Sequence, residues 1–185
     1  SVLIKSSDIV VSSMLGKGGF GVVYLGKYQG RDVAVKQLID MFTESIERFR
    51  FECFLMKGLR HRNVVLFEGV VWDDHMLACI LEYAPNGSLE NLLRADFPKK
   101  YGEKAKLTWR DNIYDWALGA ATGVLYLHGS RYFEEKTNEW KNTIIHRDLK
   151  PDNFLIASDF VLKLTDFGES RALDLDANMT SVGTP

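Results

Sequence analysis

The chain has 185 residues, 46% hydrophobic and 26% charged, which is enough for one sizeable core or two small lobes and too well mixed for disorder. A formal net charge of −2 gives no long-range attraction for nucleic acid or anionic lipid, so any polyanion it binds is expected to be small. No stretch approaches the roughly 20 apolar residues of a membrane span, and the N-terminal SVLIKSSDIVV lacks a basic start before a long apolar run, so the sequence reads as a soluble protein.

From Asp8 to Ala84 the pattern is strand-rich: DIVVS, GVVYLGKY, RDVAVKQL, NVVLFEGVVW and HMLACILEY are β-branched runs separated by glycine-bearing turns. One helix interrupts them. In TESIERFRFECFLMKGLRH, Ile46, Phe49, Cys53, Met56 and Leu59 recur at spacings of three and four. After Asn86 the character turns helical, with SLENLLR and then LTWRDNIYDWALGAATGVLYLHG, whose Gly129 suits a helix end. The segment SRYFEEKTNEWKNT is polar and aperiodic and is expected to be a surface loop. The two cysteines, Cys53 and Cys79, sit in apolar runs without metal-ligand spacing and are expected to be reduced core thiols of an intracellular protein, with no disulfide.

Five stretches carry chemistry. GKGGFGVV places glycines at 16, 18 and 21, where backbone amides can approach phosphate oxygens. The same pattern also fits a plain turn. The glycines lead into a strand-like run, VVYLGKYQG, which argues against a dinucleotide-binding turn and leaves a flap between two strands. In DVAVKQL, alternation sets Ala34 and Lys36 on one face and Val33 and Val35 on the other. Alone, Lys36 fits a solvated strand lysine; its value depends on a partner.

Glu52 falls within the apolar arc of its helix, and a carboxylate buried there needs a cation, for which Lys36 is the leading candidate; a rotated helix with Glu52 in water is the plainer alternative. LKLTDFGES sets Asp166 at a strand end before a flexible glycine, a placement suited to a hard cation such as Mg²⁺. The strands FLIA and VLKLT, linked by SD, are expected to form a hairpin between HRDLKPDN and Asp166.

In this order the glycine loop, the VAVK lysine, the helix glutamate, HRDLKPDN and DFG resemble the protein kinase family, over nearly the whole chain. The resemblance implies an α+β, two-lobe fold: an antiparallel β-sheet N-lobe with one helix, residues about 8–84 including the connecting hinge, and an incomplete, mainly helical C-lobe over about 85–185. It implies ATP and Mg²⁺ as cofactors and phosphoryl transfer to serine or threonine hydroxyls of a protein substrate in intracellular signalling.

By the same resemblance, Asp148 takes the acceptor proton, Lys150 lies near the transferred phosphate, and Asn153 and Asp166 are the metal ligands. Lys36 holds the α- and β-phosphates while paired with Glu52. Leu15, Gly16, Lys17, Gly18, Gly19, Phe20 and Gly21 cover the nucleotide; Val23, Ala34 and Leu155 flank the adenine. Leu81 is the gatekeeper, and backbone groups of Glu82 and Ala84 meet the ring edge. His146 and Phe167 are packing members of a spine with Met56 and Phe67, not acid or base groups.

Lys150 and Thr184 resemble the serine/threonine pattern, and LEYAPNGSLENLL with MTSVGTP resembles the tyrosine-kinase-like branch. Arg147 resembles the arginine that binds an activation-segment phosphate, so Thr180 or Ser181 is expected to be modified, by the protein itself or an upstream kinase. The sequence ends at Pro185, before the family's A-P-E sequence and large C-terminal helices, so residues 1–185 alone are expected to be poorly stable and weakly active or inactive. The other reading is a kinase-like module that binds a nucleotide or partner without catalysis.

Overall fold

Short β-branched runs with glycine turns build most of the first half. The computed structural model describes residues 2–18, 21–96, 107–134 and 138–172. The chain divides into two compact units, Ser1–Arg60 with Val65–Tyr83, and His61–Val64 with Ala84–Pro185. Thr180, Ser181 and Thr184, with Gly19 and Phe20, lie outside the described residues.

The first unit is a six-stranded sheet in the order β1-β5-β6-β4-β3-β2. Its strands are β1 (Leu3–Ile4), β2 (Ile9–Gly18), β3 (Gly21–Tyr28), β4 (Arg31–Gln37), β5 (Phe67–Trp72) and β6 (Leu77–Glu82). All pairings are antiparallel except β1 with β5, a short parallel strand ahead of the expected runs. On one face Ile4, Ile9, Val33, Val35, Val71, Ala78 and Ile80 form a buried cluster. Each Val or Ile so buried contributes roughly 1.5–3 kcal/mol. The period of two then turns Ala34 and Lys36 to the opposite face.

Helix α1 (Thr43–Gly58) packs on β5 and buries Phe49, Glu52, Cys53, Leu55 and Met56. Ile46, placed by spacing on the apolar stripe, is only half-buried, one turn nearer the helix start. The expected strand from Asn63 begins instead at Phe67, because Asn63 and Val64 belong to the second unit.

In the second unit, Ser88 caps α2 (Leu89–Asn91), which runs into a π-helical turn at Leu92–Asp96. Thr108 caps a second π turn, Trp109–Ile113, which feeds α3 (Tyr114–Gly129). The hairpin read from FLIA and VLKLT forms, as β10 (Phe154–Ile156) and β11 (Leu162–Leu164). Its connection is longer than the expected SD, running from Ala157 to Val161, where the Ala157 amide donates to the Val161 carbonyl.

Within SRYFEEKTNEWKNT, expected as a loop, the described residues β7 (Arg131–Glu134) and β8 (Glu139–Asn142) pair as antiparallel strands. Phe133 and Trp140 are directly opposite, with rings 5.6 Å apart and edge-on, and the Arg131 guanidinium lies over the Trp140 ring. Such cross-strand pairs stabilise four-residue strands too short to show a periodicity. Further on, β9 (Ile144–Ile145) pairs with β12 (Arg171–Ala172). No helix among the described residues is long and apolar enough to cross a membrane.

Candidate active site

In the first unit, sheet register gathers the assigned side chains on one face. Val23 lies opposite Lys36, and Leu25 opposite Ala34, across β3 and β4. Cys79 and Leu81 lie opposite Lys36 and Ala34 across β4 and β6. Helix α1 delivers Glu52 to the same place: Lys36 Nζ donates to Glu52 Oε1 at 2.7 Å, with the side chains 15% and 5% exposed. A carboxylate at that depth is tolerated because a cation meets it. The alternative of a rotated helix with Glu52 in water is thereby excluded.

The glycines divide into two kinds. Gly16 pairs with Val23 and Gly18 with Gly21 at the open end of β2 and β3. A Cβ on Gly16 or Gly18 would meet nothing within 4 Å, so the backbone there is open to a ligand. A Cβ on Gly21 would fall 2.1 Å from the Gln37 carbonyl oxygen, so that glycine is required by its own sheet. Leu15 and Lys17 are exposed, and Val23 is half-buried. Leu81 is buried in β6; the Glu82 amide donates to the Leu66 carbonyl and the Glu82 carboxylate accepts from the Leu66 amide.

In the second unit, HRDLKPDN is a hydrogen-bonded knot. The Asp148 amide donates to His146 Nδ1, which puts the imidazole proton on Nε2, 2.9 Å from the Thr165 carbonyl. His146 is 2% exposed and edge-on to Phe167, with ring centroids 5.2 Å apart. It is a neutral, structural ring. Asn153 is buried, and its Nδ2 donates to both the Asp148 carbonyl (2.8 Å) and Oδ2 (2.9 Å). Only its amide oxygen therefore remains chemically suited to a cation.

Lys150 Nζ reaches the same Asp148 oxygen at 2.7 Å. That hydrogen bond, ahead of the fields of Asp148, Asp166 and Asp152, pushes the Lys150 ammonium above its ordinary range against the opposing effect of desolvation. Lys150 stays charged. Arg147 and Asp166 both adopt left-handed backbone, at φ 70° and 63°. Each such residue costs about 1–3 kcal/mol and persists where its surroundings over-determine it. Here the Thr165 amide donates to the Asn153 carbonyl, the Thr165 carbonyl accepts from His146, and Ser170 Oγ donates to the His146 carbonyl.

Asp166 is thus tied to the segment 146–153 through its neighbour Thr165. Leu155 lies half-buried on β10, its backbone bridged to Ser88, and Ala84, ahead of Ser88 in the same unit, is buried.

Thr165, Ser170 and Asn63 are positioning residues that the sequence did not single out. Asn63 Nδ2 donates to the Leu162 carbonyl, its Oδ1 accepts from Thr122 Oγ1, and its carbonyl accepts from the Leu164 amide. It ties α3 to β11. A Cβ at Gly119 or Gly123 would lie 2.8 or 2.9 Å from Asn63, so the small face of α3 is what admits it. The GAATG spacing on α3 was the available signal.

Among the described residues no three His, Cys, Asp or Glu side chains converge as a ready-made metal cage. The Asp166 carboxylate and the Asn153 amide oxygen are hard oxygen donors of the type a magnesium ion takes.

Residues 9–185 match the protein kinase domain family. The chain is 38% identical over 184 residues to the probable serine/threonine-protein kinase drkB of Dictyostelium discoideum, covering 98% of this chain and 24% of that protein. It is 37% identical over 177 residues to the L-type lectin-domain containing receptor kinase VI.2 of Arabidopsis thaliana, covering 94% and 24%. With the probable serine/threonine-protein kinase SIS8 of the same plant, identity is 37% over 166 residues, covering 89% and 14%. The chain therefore spans about a quarter or less of the length of these relatives, and it belongs to the protein kinase domain family.

Proposed function

We propose that this chain carries the nucleotide- and hydroxyl-handling residues of a serine/threonine protein kinase acting in intracellular signalling. The observation that carries the reading is the Asp148 carboxylate, which accepts from both Lys150 and Asn153 on a loop locked by His146. Bound magnesium–ATP would supply the phosphoryl group and the divalent charge that offsets its oxygens.

The chain's own residues then divide the work. Glu52 aims and neutralises Lys36, whose ammonium binds phosphate oxygens. Open backbone at Gly16 and Gly18 approaches the same anion. Asn153 and Asp166 would hold the magnesium ion through oxygen. Asp148 orients the serine or threonine hydroxyl and accepts its proton, while Lys150 stays cationic beside it and stabilises charge on the group in transfer. Val23, Ala34 and Leu81 provide apolar surface for the base. Arg147 receives a phosphate at Thr180 or Ser181, which mass spectrometry after incubation with ATP should find.

Asp148→Ala in the full-length protein tests the assignment. Turnover on a protein substrate should fall about 10²–10⁴-fold while ATP affinity survives. Unchanged turnover would remove Asp148 from its role, and a wild-type protein that binds ATP without any transfer would favour the non-catalytic reading.

A further inference from the structure

Beyond phosphoryl transfer, the first unit holds two thiols that the proposed reaction does not use. Cys53 is next to Glu52 on α1, and Cys79 lies directly opposite Lys36 on β6. Their sulfurs are 2.8 Å apart, both free and both buried. We propose that Cys53 and Cys79 are an oxidation site: a hydroperoxide converts them to a reversible disulfide that latches α1, and with it Glu52, onto the sheet.

The placement favours this in three ways. The sulfurs stand less than about 1 Å outside bonding distance, so closure requires little backbone movement. The two side chains come from different elements, so the bond is a staple and not a local ring. Helix α1 has no side-chain cap at Phe42, its N-cap, so its packed face and the Lys36–Glu52 pair hold it to the sheet, and a covalent bond would add a further tie.

Exposure and charge set the order of events. Cys53 is 9% exposed and Cys79 0%, so Cys53 meets oxidant first when α1 loosens. Its sulfur attacks the peroxide, the O–O bond breaks, and water or an alcohol leaves, giving a sulfenic acid. The Cys79 thiol, pushed upward in pKa first by its hydrogen bond to Cys53 and then by burial, is a poor nucleophile toward bulk reagents. Beside a sulfenic acid it needs no encounter. Its sulfur attacks the Cys53 sulfur, the S–O bond breaks, and hydroxide leaves with the Cys79 proton as water. Two thiols lose two hydrogens, and one hydroperoxide is reduced.

The test exposes the full-length folded protein to hydrogen peroxide, blocks remaining thiols with N-ethylmaleimide and maps the digest by mass spectrometry. The expected result is a Cys53–Cys79 cross-linked peptide that dithiothreitol removes, with slower hydrogen exchange of the α1 amides in the oxidised protein. Recovery of both residues as maleimide adducts would overturn the proposal, as would a cross-link formed only in urea or one that leaves α1 exchange unchanged. No variant is needed, so a misfolded mutant cannot obscure the answer. The readout uses neither nucleotide nor substrate, so it stands or falls apart from the kinase assignment.

Discussion

Lys36 Nζ lies 2.7 Å from Glu52 Oε1, and the two side chains are among the least solvated charges of the first unit. Removing one partner leaves the other charge buried without compensation, at a cost of about 3–5 kcal/mol, whereas removing both restores an apolar contact. Lys36→Met is therefore expected to destabilise strongly, and Lys36→Met/Glu52→Leu to recover most of the loss. Urea denaturation of the three proteins checks this; additive losses would mean that the pair is solvated.

Asn63→Ala removes two side-chain hydrogen bonds, to the Leu162 carbonyl and from Thr122. The expected loss is about 1–3 kcal/mol, since a buried carbonyl is left without its donor. Gly119→Ala reaches a similar loss by crowding, because its Cβ would lie 2.8 Å from Asn63 Nδ2. Combined, the two changes should cost less than their sum, a coupling that a double-mutant cycle reads directly.

Thr143 has φ 65°, a left-handed backbone that a β-branched residue adopts at a cost, although its amide is well used by the Ser130 carbonyl. Thr143→Gly keeps that bond and relieves the strain, offset partly by the greater entropy of the unfolded chain. A net gain of up to about 1 kcal/mol is expected. A lower Tm in the variant would show that the Thr143 side chain contributes more than its backbone costs.

Asp73 accepts from the Ser6 amide at 3.0 Å and so ties the N-terminal segment to the end of β5. The Ser6 hydroxyl first, then its amide and those of His75 and Met76, hold the Asp73 carboxyl at about 2, below the ordinary 3.8. A lowered folded pKa means that the unfolded chain takes the proton first. The stabilisation is complete above 3.8 and disappears as pH falls through about 2. The stability advantage of wild type over Asp73→Asn should accordingly shrink across that window in urea titrations at stepped pH. An advantage independent of pH there would assign it to packing.

Much of the site was legible because it is written locally. Glu52 stands out on its helix as a charge in an apolar arc, and Lys36 as the partner within reach. HRDLKPDN stands out by its density of charged and polar side chains between apolar runs. The pairing of β7 with β8 did not, since its stability comes from Phe133 against Trp140, a contact between strands that composition does not display. Asn63 read as the first residue of a strand, and its side chain instead bonds to partners 59 and 99 residues away.

By itself, the sequence determined the order of the motifs, the family and the faces of individual strands and helices, because period and side-chain chemistry act over a few residues. Only the tertiary structure decided that Cys79 sits across from Lys36 and against Cys53, that His146 carries its proton on Nε2, and that Thr165 and Ser170 brace the loop of Asp148. Those outcomes depend on the register between segments far apart in the chain, and a one-residue slip would send every such side chain to the other face.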